Sequence, residues 1–362
     1  MITSKYFNDI KDFINLEMGV KRFQGNMERF HFNPIPLNEY SRRFFPNIET
    51  FHIYNKYDEI FDDGRIFKEI IWYDISCSRY TKEKETGSIC KHIEYTKSDR
   101  VEYGRELQLG ASSIGNKFFY NAYELTSIDI PSSVSEMGCG CFCRCSSLTS
   151  IQLSEINKLE SDCFSGCRSL KSITIPSSVS EIDSSCFYGC LSLTSITIPI
   201  TVTKIGDNCF KECTSLESIT FPSSVSEINN NCFNSCKSLI SLKFAKTVNK
   251  IGVECFFGCY SLESINLPTL ISEIPDGCFN GCSSLKQIEL PTSVTKLGFR
   301  SFSGCKVLTS INLNPSVKEL GQYCFSECFS LNTHSMHSSV IKVGNNCFHG
   351  CKSSILSEYE KY

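Results

Sequence analysis

From about Val101 onward the chain repeats a short pattern of apolar and polar positions every 23 residues. One unit reads Leu170-Lys-Ser-Ile173-Thr-Ile175-Pro176-Ser-Ser-Val179-Ser-Glu-Ile182, then Cys186-Phe187-Tyr-Gly-Cys190. Between Ser172 and Ile175 polar and β-branched residues alternate, which predicts a strand with one buried face. Pro176 ends it, and Val179 and Ile182 begin a second extended or turn-like segment. Asp, Asn and Gly ahead of the Cys-Phe pair supply turn residues. A short helical turn is expected to carry the pair, because cysteines at i and i+4 then share one face.

The Cys-Phe pair recurs at Cys141, Cys163, Cys186, Cys209, Cys232, Cys255, Cys278, Cys324 and Cys347, with Ser301-Phe302 in the one gap. All steps are 23 residues except the first, which is 22. A degenerate unit at Phe118-Phe119, with Ala122 in place of the second cysteine, completes 11 units. A coil this short cannot bury its own leucines, so each must use its neighbours as the other half of its core. The fold class is therefore a repeat solenoid with a parallel sheet of short strands. At about 4.8 Å per strand, its coils stack into a rod roughly 50 Å long. Equivalent residues form columns, Leu170, Leu193 and Leu216 in one and Phe187, Phe210 and Phe233 in another.

Before about Val101 the repeat disappears, so residues 1–100 are expected to form a small mixed α/β cap, residues 101–353 the solenoid, and residues 354–362 a tail. Tyr6, Phe7, Ile10, Phe13, Ile14 and Val20 recur at helical spacing, predicting a helix or short helical pair over Ser4 to Phe23. Phe45 to Tyr54 and Ile70 to Tyr73 read as irregular strands, and the Lys-Glu alternation from Thr81 to Ser88 as an exposed loop. The polar tail after Cys351 is short for a cap, so either it folds over the final coil or two chains meet there, and a dimer through the C-terminal end is one expectation.

Composition narrows the function. A net charge of -3 with interleaved signs gives no field that favours nucleic acid or an anionic membrane. No run reaches the roughly 18 apolar residues of a membrane span. The first 20 residues lack a continuous apolar stretch, so a cytoplasmic location is expected from the residues alone. The histidines, His31, His52, His92, His334, His337 and His349, are scattered, with no zinc-protease helix, phosphate loop or nucleophile elbow. No catalytic residue, metal or cofactor is expected.

The paired cysteine columns, Cys163, Cys167, Cys186, Cys190, Cys209, Cys213, Cys232, Cys236, Cys255, Cys259, Cys278 and Cys282, have three readings. They can be reduced thiols acting as small hydrophobes near turn carbonyls. They can be bridged between coils, since stacked positions lie within Cα range of a disulfide. The third reading, zinc, suits paired knuckles that close a compact site rather than a series that continues indefinitely. As for binding, the side chains between the two buried strand residues should point outward. That column is Asp129, Gln152, Thr174, Thr197, Thr220, Lys243, Asn266, Glu289 and Asn312, uniform in its first half and varied from Lys243 on. It reads either as a partner-binding face or as a solvated hydroxyl surface.

Units such as Leu193-Thr-Ser-Ile196-Thr-Ile198-Pro199, followed by Val202-Thr-Lys-Ile205-Gly206-Asp-Asn-Cys209-Phe210-Lys-Glu-Cys213, resemble the BspA-type leucine-rich repeat. The resemblance implies a right-handed leucine-rich-repeat coil, no catalytic residues, and a role in adhesion or protein binding at a cell surface. The implied partner is another protein or an extracellular-matrix component. Separately, Asp12-Phe13-Ile14-Asn15-Leu16 and Val20-Lys21-Arg22-Phe23 resemble the second half of an F-box. That resemblance implies, as the alternative, a cytosolic substrate receptor or scaffold.

Overall fold

The computed structural model describes residues 9–21, 24–62, 64–103, 107, 110–332 and 340–352. The chain divides into two compact units, Met1–Ser113 and Ile114–Tyr362.

In the second unit the alternation of Ile with Ser and Thr produces what it predicts. Strands Ser127–Asp129, Ser150–Gln152, Ser195–Thr197, Ser218–Thr220, Ser241–Lys243, Gln287–Glu289 and Ser310–Asn312 each bury their middle residue or nearly so. They pair in parallel with equivalent residues opposite, as in Ile196↔Ile219↔Leu242. The coils between them join through single bridges, Thr174 to Thr197 and Asn266 to Glu289. Val179 and Ile182 begin a second ladder, of two-residue strands from Glu136–Met137 and Lys158–Leu159 through Glu181–Ile182 to Lys342–Val343. It too is parallel, one coil on the next.

The Cys-Phe segment forms hydrogen-bonded turns rather than the expected helical turn. Two residues per coil have left-handed backbone, one before the first cysteine and one before the second, as in Ser185 at φ 57° and Gly189 at φ 66°. A left-handed residue cannot continue a right-handed helix. Instead, the amides of these two residues and of the phenylalanine between them donate to the next coil. In the Phe187 coil the acceptors are the carbonyls of Asp207, Cys209 and Lys211, at 2.8, 2.9 and 2.8 Å. The turn segment thus serves as a third inter-coil ladder.

Inside, the phenylalanines form one continuous stack from Phe119 to Phe348. Neighbouring centroids lie 4.8 to 5.6 Å apart with ring planes within 14° of parallel. All 23 cysteines are free thiols. Those of the second column donate to the phenylalanine carbonyl of the preceding coil: Cys190 to Phe164 at 3.2 Å, Cys213 to Phe187 at 3.1 Å, and so on to Cys351 and Phe325 at 3.0 Å. Such a thiol fills a tight apolar column and satisfies a carbonyl lone pair there. Burial pushes these thiols up, Cys232 of the first column to about 12.

The first unit holds the two anticipated strands, at Thr50–Ile53 and Lys68–Ile71, stacked in parallel with Ile89–Cys90. Inter-coil bonds such as Thr50 N to His31 O and Trp72 N to Ile53 O, both 2.9 Å, step by 19 residues, so this unit has a shorter coil of its own. The helix Ile10–Gly19 starts at Asp9, which caps it, and sets Phe13 edge-on against Phe30 and Phe45 at 5.8 and 5.5 Å. Of the helix expected over Ser4 to Phe23, the C-terminal end stops short, since Val20 is extended and caps it, while Tyr6, Phe7 and Phe23 lie outside the described residues. Most of the loop expected over Thr81 to Ser88 is instead the end of a helix, Cys77–Glu85. Ser76 caps it, and Arg79 bonds Glu83 one turn on at 2.9 Å. Asp99 is fully buried, yet hydrogen bonds from Thr96 and Ser78 outweigh desolvation and hold its carboxyl below the usual range. Among the described residues no helix is long and apolar enough to cross a membrane.

Candidate binding surfaces

Three surfaces follow from the three ladders of the second unit. On the first, all nine residues of the outward column, Asp129, Gln152, Thr174, Thr197, Thr220, Lys243, Asn266, Glu289 and Asn312, are exposed. So is the serine two positions before most of them, as at Ser150, Ser195 and Ser218. The ladder holds them in register, one residue per coil. A charged pair crosses the varied half, Lys286 Nζ to Glu263 Oε2 at 2.7 Å.

The second ladder carries a pattern that the sequence reading missed. Its outward column is Glu136, Lys158, Glu181, Lys204, Glu227, Lys250, Glu273, Lys296, Glu319 and Lys342, with signs alternating at every coil. Pairs form at 3.8 Å for Lys158–Glu181, 3.4 Å for Lys250–Glu227 and 3.5 Å for Lys342–Glu319. The charge repeats every two coils, 46 residues, and in the middle of the ladder Lys-Ile-Gly (Lys204 to Gly206) alternates with Glu-Ile-Asp or Glu-Ile-Asn (Glu181 to Asp183, Glu227 to Asn229), whereas Glu136 and Glu319 are also followed by glycine two positions on. In the glycine coils the backbone of the preceding coil leaves no room for a side chain. A Cβ on Gly206 would lie 2.4 Å from Ser184 N.

The turn face holds two grooves. One, of about 870 Å³, is lined by Lys117, Tyr120, Cys139, Arg144, Asp162, Arg168, Tyr188 and Glu212 around a floor of Gly140, Gly166 and Gly189. The other, of about 470 Å³, has Tyr260, Arg300, Lys306, Tyr323, Glu327 and His349 around Gly281 and Gly304. Most of each floor comes from the glycine before the second cysteine, where a Cβ on Gly189 would meet only Gly166 Cα, at 3.9 Å; Gly140, before a first cysteine, adds to the first groove. The same position carries Glu212 at the end of the first groove and Ser235 and Gly258 beyond it, all left-handed. The sequence signal was the recurrent Gly-Cys, as in Ser165-Gly166-Cys167, alternating with Glu-Cys and Ser-Cys. None of the nine strand-face residues lines either groove.

Within the first groove Arg144 lies over the Tyr120 ring, 5.9 Å from its centroid, and Tyr188 donates its hydroxyl to Glu212 at 3.0 Å. Burial, and then that bond, raise the Tyr188 hydroxyl above its usual range. Cys139 is exposed and Cys143 half-buried, so these two thiols of the solenoid stand outside the buried columns. Burial and the Asp162 carboxylate push Cys143 up. Among the described residues no group of three or more His, Cys, Asp and Glu side chains is placed to hold a metal ion.

Stacked parallel strands, one per coil, over an inner leucine column define a leucine-rich-repeat solenoid. The BspA-type leucine-rich repeat region matches residues 112–240 and 226–355, more than half of the chain, and the protein belongs to that family. Among solved structures it is similar to a leucine-rich repeat protein of Bacteroides ovatus, at 25% identity and a TM-score of 0.63, over 86% of this chain and 81% of that one. It is also similar to the Treponema pallidum leucine-rich repeat protein, at 28% identity and a TM-score of 0.41, over 47% of this chain and 77% of that one. A leucine-rich cell surface protein of Faecalibacterium prausnitzii shares 26% identity over 68% of this chain and 85% of that one, with a TM-score of 0.36. No curated protein matches the chain.

Proposed function

We propose that the chain is a non-enzymatic binding module that presents its strand face to another protein, in adhesion or in protein–protein interaction. The observation that carries this reading is the exposed column from Asp129 to Asn312, fixed in register by the first ladder and varied in chemistry from Lys243 on. Family membership and a relative described as a cell surface protein support adhesion. The alternative, an F-box-like receptor, has less support. The helix that carries that resemblance buries Phe13 in its own unit's core, where a capping role accounts for it.

The test compares proteins captured by the native chain with those captured by two variants, Lys243→Glu with Glu289→Lys, and Thr174→Glu with Thr197→Glu. A partner lost at least tenfold by the first pair and retained by the second is the expected result. If every captured protein is retained by both pairs, the strand face is a solvated surface and the reading fails. Labelling of intact, unpermeabilised cells separates the two settings, since an adhesin is labelled and a cytosolic scaffold is not.

A further inference from the structure

We propose that the glycine-floored groove between Lys117 and Glu212 binds an acidic oligosaccharide lying along the solenoid axis, a second site separate from the strand face. Three observations lead there. The first is spacing. The groove crosses five coils, at about 4.8 Å each a length of roughly 20 Å. That step is close to the advance of one sugar ring in an extended polysaccharide, so successive rings meet equivalent groups. An extended peptide advances roughly 3.3 Å per residue and falls out of step with adjacent coils.

The second observation is chemistry. The walls combine tyrosine rings, which offer an apolar face and a polar tip, with planar guanidinium and carboxylate groups that bind paired hydroxyls or a carboxylate with two parallel hydrogen bonds. No aliphatic wall of the kind a drug-like ligand or an apolar helix needs is present in this lining, where Leu191 stands alone. The third is charge. Lys117, Arg144 and Arg168 face Asp162 and Glu212, and Glu212 already accepts the Tyr188 hydroxyl. The lining thus has a small positive excess in a chain of net charge -3. The smaller groove repeats the arrangement independently, with Arg300 over the Tyr323 ring at 5.2 Å beside Lys306.

The fold supplies its own blocking variant. Glu212 occupies the equivalent position with left-handed backbone, at φ 61°, at the end of the first groove, so Gly189→Glu places in the middle of that groove a residue that the next coil already accepts. The full chain is titrated calorimetrically with tetragalacturonate and with neutral maltotetraose. Expected are saturable binding of tetragalacturonate at two sites per chain, at least tenfold weaker binding of maltotetraose, and weakening with added salt. Gly189→Glu should remove one site and lower the thermal unfolding midpoint by only a few degrees, the cost of a left-handed residue that carries a side chain, and Arg144→Ala should weaken the same site at least tenfold. No saturable binding, equal binding of maltotetraose, or binding untouched by both variants overturns the proposal. So does tighter competition by a heptaglutamate peptide, which makes the groove a protein site. None of these residues is on the strand face, so failure here leaves the strand-face reading standing.

Discussion

A cysteine thiol is a small hydrophobe that can still donate one weak hydrogen bond, and each coil uses both properties. In the second column the thiol closes on a phenylalanine carbonyl that also receives an amide from its own coil, as Phe187 O does from Cys190 N and the Cys213 thiol. The first column has one natural exception, Ser301, fully buried with its hydroxyl 3.2 Å from the Cys324 sulfur. There the polar hydroxyl stands in an apolar column and exchanges a hydrogen bond only with a weak partner. Ser301→Cys should therefore stabilise the solenoid by about 0.5–1 kcal/mol, within the range of conservative core improvements. A urea midpoint that moves down rather than up would show that the hydroxyl is better satisfied than the thiol. That cysteine suits such a column was legible from the sequence. Spacing alone does not say what lies opposite a sulfur, so the carbonyl partners of the second column became visible only in the packed coil.

At the scale of the element, a parallel ladder puts each residue beside its equivalent, so a strictly repeated lysine would stack like charges at strand spacing. Like charges directly opposite are destabilising, and the Glu-Lys alternation from Glu136 to Lys342 removes that conflict. Each pair is exposed and contributes little by itself. The value of alternation lies in what it avoids. Lys204→Glu inserts a carboxylate between those of Glu181 and Glu227, leaving a run of like charges on adjacent coils, and should cost about 1 kcal/mol at low ionic strength. The loss should shrink as salt is raised, with the Debye length falling to ~3 Å at 1 M. A salt-independent loss in denaturant titrations would assign the effect to packing instead. This two-coil period is written in the sequence, but a 23-residue frame conceals it, because the apolar columns repeat at every coil while the charges repeat at every second one. The turn segment is misleading for a related reason. The i, i+4 spacing of the cysteines suits a helix, and only the recurrent Gly, Asn and Asp at the left-handed positions point to turns.

The whole molecule combines these local choices into one collective property. Twenty of the 23 cysteines are buried, and burial raises the thiols of most of them, Cys77 and Cys232 to about 12 and Cys351 to about 11, from an ordinary value of 9.0. Below about pH 8 both folded and unfolded chains keep nearly all their thiol protons, and stability scarcely depends on these groups. Above it the unfolded chain releases protons that the folded chain retains, so stability falls as pH rises and continues falling toward the folded values of 11 to 12. A single thiol contributes at most about 1.4 kcal/mol per pH unit. Many thiols titrating together should turn this into a steep decline. Urea midpoints should be level from about pH 7 to 8 and collapse between about pH 9 and 10.5. Cys139 and Cys143, outside the columns, serve as the internal control, because replacing both with serine should leave the decline in place. A midpoint that stays level through pH 10.5 would mean that the buried thiols ionise in the folded solenoid. That would require water in the column beside the phenylalanine stack, where the packing leaves each sulfur only a carbonyl and its apolar neighbours.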